Sequence, residues 1–593
     1  MAVSFNSYYL YKKYEKRGNQ PWIPVYPETL SIDGNGSMPK VLKTSGDPVC
    51  YVEPQERWVD TDGYTCLEVQ SRTVTGTPYC NGTDLYADVS TQVSNNSGIT
   101  WDTIETVPTI IESDSEYCGY NEYYSEYLTF VAEENNVSIT WSGESNNNLS
   151  YSIDSGSTWS TPSSNFTSTR ISSGGTIMVK GSCRSVGTYG IGRFLIKSKF
   201  SVYGNIFSLV YGDNFIGRKN FPSDASRDCC FFNALFFTSS GLTSAENLVL
   251  PATTLTKSCY RMMFVGCSNL ETPPSRLPAP TLAEGCYDGM FYYCGKLTSL
   301  PTLPATTLTN SCYHEMFYWC SGLTSIPSNY LPATTLAEGC YTRMFQGCIS
   351  LTSLDNLILS ADTIQSASYG QMFFECSGLT APPHILATTV GNSGCTLMFQ
   401  NCTSLLTAPD LPATTVGEYG YSRMYAGCPS LTGSSGFSAE TLGKSACLRM
   451  FEDCTSLTEA PDLPATTLGN YCYDSMFKGC RNLTRIPSIL PATTLAEGCY
   501  ANMFSGCTNI QVAPKLPAPT LAKKCYQSIF QDCRSLNNVI CLATNASATD
   551  STRLWLYNVS QNGTFYRDSN MNWPRGSGSY NVPSGWTMVD YVS

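Results

Sequence analysis

The chain has 593 residues, too many for one hydrophobic core, so several domains or a repeat array are expected. Charged residues make up only 14% of it, against roughly 25% in ordinary soluble domains. The formal net charge of -12 at pH 7 would repel a phosphate backbone, so we expect no nucleic acid among its partners.

Residues 1–53 open the chain with tyrosines and a cluster of bases that includes Lys12, Lys13 and Lys16. A secretory signal needs an apolar run of about 7 to 15 residues after such bases. A membrane span needs about 18 consecutive apolar residues. The sequence shows neither pattern, and it therefore predicts a chain without a signal peptide and without membrane contact.

Two β-rich regions are predicted next along the chain. Residues 54–122 contain short strand-like runs between Asn, Gly and Ser clusters, which favour a small β-rich domain. Residues 123–213 predict a β-sandwich-like domain, since polar and apolar residues alternate at 127–131, 137–141, 149–153 and 176–180.

Residues 214–536 contain an internal repeat, close to L-P-A-T-T-L-A-x-x-C-Y-x-x-M-F-x-x-C-x-x-L-T-x-x-P. A repeat of this length indicates a solenoid, in which each unit buries its apolar side against its neighbours. Twelve units, spaced 26 to 28 residues apart, start at Phe231, Cys259, Cys286, Cys312, Cys340, Ser368, Gly394, Gly420, Ala446, Cys472, Cys499 and Cys525.

Each unit is predicted to contain one short helix and one short strand. Cys286, Met290 and Cys294 are four residues apart, and that spacing places them on one face of an α-helix. The leucines from Leu297 onward, interleaved with Thr and Ser and ended by proline, favour a strand. The expected fold is therefore an α/β solenoid of the leucine-rich-repeat type preceded by small all-β domains, with residues 537–593 as a carboxyl-terminal cap.

The 28 cysteines suggest either disulfides or buried thiols. Eighteen lie in two repeat columns that vary independently, as where Ser368 replaces the first cysteine and Cys376 keeps the second. Eight helical residues would separate the two by about 12 Å, whereas disulfide Cα atoms lie within about 7 Å. We therefore predict thiols packed as small hydrophobes. The five cysteines before residue 200 receive no assignment.

No metal, cofactor or catalytic motif stands out. The sequence contains no C-x-x-C pair and only two histidines, His314 and His384, which we interpret as ordinary repeat-surface residues. Phosphate-loop, zinc-protease and nucleophile-elbow patterns do not occur. We expect a non-enzymatic protein without cofactors. The alternative is a glycan hydrolase that uses two nearby carboxylates, a pair that no sequence motif would reveal.

The positions six and seven residues after each unit start are mostly Gly or polar. In a few neighbouring units, aromatic residues occupy these positions instead. Exposed aromatic rings on neighbouring units form a contiguous surface of the kind that binds protein or carbohydrate. Packing against the amino-terminal region or another subunit is the alternative. The predicted ligand-binding residues are Tyr292, Tyr293, Tyr318, Trp319 and Phe374.

The phrase CYDSMFKGCRNLTRIPSILPATTL at 472–495 resembles the BspA-like leucine-rich repeats of gut Bacteroides surface proteins and of their phages. The flanking LTFVAEENNVSITWSG and PSGWTMVDYVS are similar to the flanks of the same proteins. The family has diverse ligands, and the resemblance carries over no catalytic residue. The opening YLYKKYEKRGNQPWIPVYPETLSIDGNGSMP is similar to the leaders of phage-borne relatives.

This resemblance implies a virion protein, a tail or head fibre that binds a receptor and lies on the virion surface. Residues 1–53 would attach to other virion proteins, and the solenoid would bind a host surface protein or glycan. Fibres are often trimeric, so a homo-oligomer is an expectation as well. A bacterial cell-surface adhesin and a polysaccharide depolymerase are the alternatives.

Overall fold

The computed structural model describes residues 122–592, apart from 144–147, 163–164, 184–190, 223–229 and 435, and before residue 122 it describes eight backbone strands. The chain divides into two units, Met1–Gly119 and Tyr120–Ser593. The predicted segments 1–53 and 54–122 lie largely outside the described residues, and so do the side chains of Cys50, Cys66, Cys80 and Cys118.

The eight described strands of the first unit are β1 (Lys13–Glu15), β2 (Ile23–Val25), β3 (Val49–Val52), β4 (Arg57–Asp60), β5 (Gln70–Thr75), β6 (Tyr79–Asn81), β7 (Asp84–Ser94) and β8 (Asp102–Glu112). They pair antiparallel: β1 with β2, β3 with β4, and β7 with β5, β6 and β8.

The second unit begins with two packed sheets, and strands lie at all four segments predicted between residues 127 and 180. Trp141 and Phe130 come from different sheets and both contact Phe194, at ring distances of 4.7 and 4.9 Å. The elements are a 3-10 turn (Glu122–Ser125), β9 (Leu128–Ala132), β10 (Thr140–Ser142), β11 (Leu149–Ser152), β12 (Phe166–Thr167), β13 (Thr176–Gly181), β14 (Arg193–Leu195), β15 (Phe200–Asn205), α1 (Ser208–Tyr211) and a 3-10 turn (Gly212–Asn214).

Strand β15 joins this sandwich to the repeats. It pairs antiparallel with β9 on one side and parallel with β16 (Leu242–Ser244) and β17 (Leu248–Val249) on the other. The buried side chains form one continuous core from Leu128 to Trp586. The sandwich therefore covers the first repeat instead of forming a separate core.

The repeat region is a β-solenoid with almost no helix, and the predicted α-helix in each unit is wrong. In its place, each unit runs through consecutive turns that have a positive φ at every fourth residue, as at Gly285, Gly289 and Tyr293 with φ of 59°, 60° and 59°. An α-helix needs φ near −63° throughout. In the part of the chain that the structure describes, the only α-helix is the four-residue α1, which lies before the repeats.

The backbone hydrogen bonds explain this conformation. The amide of Met290 donates to the carbonyl of Tyr287 within the turn, at 3.1 Å. The next amide, that of Phe291, donates to Met316 in the following unit, at 2.9 Å. Alternate amides thus point along the solenoid axis and bind successive coils together, which an α-helix cannot do because all its bonds are internal.

The seven ladder strands between coils are only two residues long, and five of them lie at the threonines of the A-T-T-L phrase, after the leucines where the strand was predicted. The prolines of the L-P-A phrase donate no backbone hydrogen bond, which limits the parallel ladder between coils. The ladder strands are β18 (Ile358–Leu359), β19 (Thr363–Ile364), β20 (His384–Ile385), β21 (Thr389–Val390), β22 (Thr415–Val416), β23 (Thr441–Leu442) and β24 (Thr467–Leu468). They pair in two sheets, β18 with β20, and β19 with β21, β22, β23 and β24 in that order.

The interior consists of columns in which equivalent side chains stack. The phenylalanine column forms a continuous ladder; for example, Phe451, Phe477 and Phe504 stack at centroid distances of 5.4 and 5.6 Å and within 5° of parallel. The methionine and leucine columns are buried beside it. Offset ring stacking contributes about 0.5–1.5 kcal/mol per pair beyond burial.

The cysteines pack as predicted. Of the 23 cysteines in the described residues, all except Cys230 are buried free thiols. Thiols of the second column donate to the carbonyl of the preceding coil's phenylalanine column, as from Cys428 Sγ to Phe399 at 3.1 Å. The column therefore contributes a polar bond between coils as well as apolar packing.

Parallel strands continue the stack to the end of the chain. They are β25 (Asn538–Cys541), β26 (Gly563–Arg567) and β27 (Trp586–Asp590). Trp555, Trp573 and Trp586 are all buried there, and the first two stack at 4.9 Å. Aromatic rings thus fill the carboxyl-terminal end of the core.

Candidate functional site

The five predicted binding residues lie on the turn side of the solenoid, and we call them the aromatic surface: Tyr292, Tyr293, Tyr318, Trp319 and Phe374. Tyr293 is 50% exposed, and the other four are partly buried. They belong to the units that start at Cys286, Cys312 and Ser368.

Coil-to-coil hydrogen bonds align the residues that lie six positions after each unit start. The amide of Tyr293 donates to the carbonyl of Tyr318, Trp319 to Gln346 and Gly347 to Phe374, at 2.7–2.9 Å. Glu375 donates to Gln400 in the same way, at 2.9 Å. Five side chains therefore follow one another along the solenoid axis and form what we call the outer row: Tyr292, Tyr318, Gln346, Phe374 and Gln400.

Three tyrosines of the aromatic surface are in direct contact. The rings of Tyr292 and Tyr318 stack at 4.4 Å and 5°. Tyr293 meets both edge-on, at 4.6 and 5.7 Å. Burial raises the pKa of Tyr292 above its usual value, and the neighbouring Tyr318 and Tyr293 raise it further. The three tyrosines therefore form one contiguous group of rings, and their role in ligand binding stays a prediction.

Trp319 lies flat over the backbone of the next coil, where a glycine leaves room for it. A Cβ atom at Gly347 would come within 2.7 Å of the Trp319 indole. Gly347 itself has φ of 72°. The position of the indole thus depends on the glycine.

Tyr293 and Trp319 occupy backbone positions that disfavour large side chains. Both residues have positive φ, 59° and 55°. The left-handed region costs ordinary residues roughly 1–2 kcal/mol and is tolerated best by Gly, Asn and Asp. Those three types hold the equivalent position in most other coils, as in Gly427, Asn401 and Asp453. The two rings are therefore present despite a local cost to stability.

Phe374 belongs to the same row but does not follow directly on the tyrosines. Gln346 lies between Tyr318 and Phe374, and only 8% of it is exposed. Its Oε1 atom is buried without a hydrogen-bond donor, and the same holds for Oε1 of Gln400. An unsatisfied buried acceptor costs about 1–3 kcal/mol. Sequence reasoning missed Gln346, since glutamine is common on polar surfaces; its place between two aromatic positions was the available signal.

A network of charged residues borders the tyrosines, and the sequence did not predict it. Asp288 pairs with Arg261 at 2.8 Å and with His314 at 2.9 Å. Glu315 pairs with Arg343 at 3.0 Å. Partial burial raises the pKa of the Asp288 carboxyl, but hydrogen bonds from His314 and Arg261 lower it by more, so the net shift is downward. His314, expected to be an ordinary surface residue, is thus held within this network.

The same network brings three potential metal ligands together. One ligand atom from each of Asp288, His314 and Glu315 lies within 4.8 Å of the others. Both carboxylates already pair with arginines, Arg261 and Arg343. A divalent ion would have to displace those pairs, so the residues fit an ion-pair network better than a metal centre.

Comparison with known proteins identifies the repeats. A family model described as the BspA type leucine rich repeat region matches the chain in six copies, over residues 236–380, 285–431 and 424–552. No curated protein and no solved structure matches the chain. Among the described residues, no helix is long and apolar enough to cross a membrane.

Proposed function

Because the chain belongs to the family of BspA-type leucine-rich-repeat proteins, whose model matches more than half of its residues, we propose that it is an adhesive repeat protein. Repeats of this type suggest a surface or adhesion role. The solenoid holds the aromatic surface in a fixed register, and that surface binds the partner. The role is one of binding, without catalysis or a cofactor.

The observation that carries this proposal is the placement of the rings. Tyr293 and Trp319 stand at positive-φ positions in consecutive coils, where glycine or asparagine would be more stable. Positive φ recurs at every fourth residue of the solenoid, so what distinguishes these two residues is a large aromatic ring at a position where most coils carry Gly, Asn or Asp. Trp and Tyr are also the side chains that most often dominate binding energy at interfaces.

We extend the proposal to a virion. The flanking sequences resemble phage-borne relatives, and in such a fibre the amino-terminal unit attaches to other virion proteins while the solenoid contacts a host surface protein or glycan. The protein would lie on the virion surface, with a trimer as the expected assembly. Mass spectrometry of purified particles tests this placement: the chain should copurify with the capsid proteins at a fixed ratio. Its absence from particles would refute the virion role.

Adhesion itself is tested by substitutions that leave the coil intact. Trp319→Gly and Tyr293→Asn introduce residue types that other coils carry at this position, so the stability of the folded protein should be unchanged or slightly higher. Binding of the purified protein to host cells should weaken at least about tenfold, which corresponds to about 1.4 kcal/mol. Cell binding measured by flow cytometry would show it.

The matched control is Asp453→Asn, at the same turn position in a coil far from the aromatic surface. Cell binding by this variant should equal that of the unsubstituted protein. Unchanged binding by Trp319→Gly and Tyr293→Asn, with both variants folded by circular dichroism, would move the adhesive site elsewhere on the chain.

A further inference from the structure

The outer row offers a repeated, uncharged surface along the solenoid axis. Its five members contribute two phenols, a phenyl ring and two amides, one from each of five consecutive coils. Coils in a parallel ladder are about 4.8 Å apart. A linear partner lying along the axis would therefore meet an aromatic ring at three of the five coils and an amide, largely buried at Gln346, at the other two.

Charged side chains occupy the equivalent position only in coils beyond these five. The corresponding positions further along include Glu452 and Lys478, which pair with each other at 3.1 Å. On the flank of the tyrosines, the guanidinium groups of Arg261 and Arg343 are engaged by Asp288 and Glu315. The row thus presents no free cation for sulfate, phosphate or carboxylate groups, which disfavours an acidic polymer.

An extended peptide also fits poorly. Peptides that add to a sheet do so through unpaired backbone amides and carbonyls. Along the row, those groups are already paired: the carbonyls of Tyr318, Gln346 and Phe374 accept from the preceding coil, and their amides donate within their own turns. Recognition here must use side chains alone.

The side chains call for a partner rich in hydroxyl groups. Tyr318 and Phe374 flank Gln346, whose amide oxygen is buried and lacks a donor. A hydroxyl placed over the row would supply that donor once the amide rotates, while the C–H faces of a sugar ring would lie on the aromatic rings. Gln400 repeats the arrangement beyond Phe374 with a second unpaired amide oxygen.

We propose that the outer row binds a neutral polysaccharide whose chain runs along the solenoid axis, from Tyr292 to Phe374. The inference rests on the proposed adhesive function and names the chemistry of its partner. Each coil contributes one contact, so affinity depends on how many sugar residues the bound chain contains.

Affinity electrophoresis tests the chemistry of the partner. The probes are four neutral polymers, an α-glucan, a β-glucan, an α-mannan and a β-galactan, together with the anionic polygalacturonate. At least one neutral polymer should retard the protein and polygalacturonate should not. For oligosaccharides of the retarding polymer, calorimetry should show affinity rising with length until the row is covered. Retardation by polygalacturonate alone, or by none of the five, would overturn the proposal.

Two variants and a control assign the binding to the row. Tyr318→Ala should weaken polysaccharide binding at least tenfold. Gln346→Met removes the amide but keeps the chain length, so binding should weaken while the thermal midpoint stays the same or rises. Ser505→Ala, at the equivalent position of a coil outside the aromatic stretch, should change nothing. Full affinity in both row variants would refute the assignment.

The outcomes also separate this inference from the adhesive function. If cell binding is lost in Trp319→Gly but no polysaccharide binds the protein, the adhesive function stands and the neutral glycan is wrong. If a neutral polysaccharide binds but particles lack the protein, the virion placement fails, while the assignment of polysaccharide binding to the outer row stands.

Discussion

Raising the pH from 9 to about 11 should unfold the solenoid. The cause is the buried thiols. Burial raises the pKa of Cys259 to about 12 and that of Cys340 to about 11, from 9.0. The unfolded chain therefore loses these protons above pH 9 while the folded chain retains them. Stability is complete below pH 9 and falls as the pH rises towards 11 to 12.

The expected size of the effect follows from the number of thiols. One thiol with these values loses about 1 kcal/mol of stability between pH 9 and 10. Burial also raises the pKa of four further thiols to about 12: Cys376 and Cys428 in the second cysteine column, Cys183 in the sandwich and Cys541 in β25. Six such thiols give about 6 kcal/mol over that interval, comparable with the about 5–15 kcal/mol that stabilises a typical domain. Urea denaturation followed by circular dichroism from pH 7 to 10.5 measures it.

A double variant controls for other alkaline effects, including ionisation of the buried tyrosines. Cys259→Ala and Cys340→Ala introduce the residue that Ala446 already provides in the first cysteine column. Between pH 9 and 10 the variant should lose about 2 kcal/mol less than the unsubstituted chain. Equal losses in the two proteins, or stability that stays constant up to pH 10.5, would show that these thiols do not govern the alkaline transition.

The helix prediction failed because the two candidate structures share a periodicity. Residues at i, i+4 and i+8 lie on one side of an α-helix, and they also do so in a chain of turns that repeats every four residues. Cys286, Met290 and Cys294 are all buried, as the helix required. The distinguishing signal was the spacing of Gly285 and Gly289, since residues that tolerate positive φ recur every four positions only in the turn chain.

The columns themselves were predictable, because a core position tolerates only a few side chains. The independent variation of the two cysteine columns was enough to predict free thiols. Surface contacts were harder to predict: the sequence indicated the tyrosine patch, but not the Gln346 amide within the row. Nor could it show the pairing of Asp288 with His314, which are 26 residues apart. Such contacts depend on which positions of neighbouring coils face each other, and that register comes from the backbone hydrogen bonds.

The phenylalanine ladder is where a single truncation should do the greatest damage. Phe477 is fully buried and stacks with Phe451 on one side and Phe504 on the other, and its carbonyl accepts the hydrogen bond of Cys507 Sγ at 3.0 Å. Each coil contacts only its neighbours, so a defect in one coil weakens both of its interfaces.

Phe477→Ala should lower the free energy of unfolding by about 3–5 kcal/mol, through lost burial and the cavity left in the ladder. Phe477→Tyr should cost less, because Tyr425 already stands in the same column and stacks with Phe451 at 5.1 Å. Tyr557→Ala, at a side chain 55% exposed, serves as the surface control. Hydrogen exchange should lose protection first in the coils around Phe477 and later in the sandwich near Trp141. Uniform loss along the chain would mean that the coils unfold as one unit, and an alanine variant as stable as the tyrosine variant would mean that ring stacking does not stabilise this ladder.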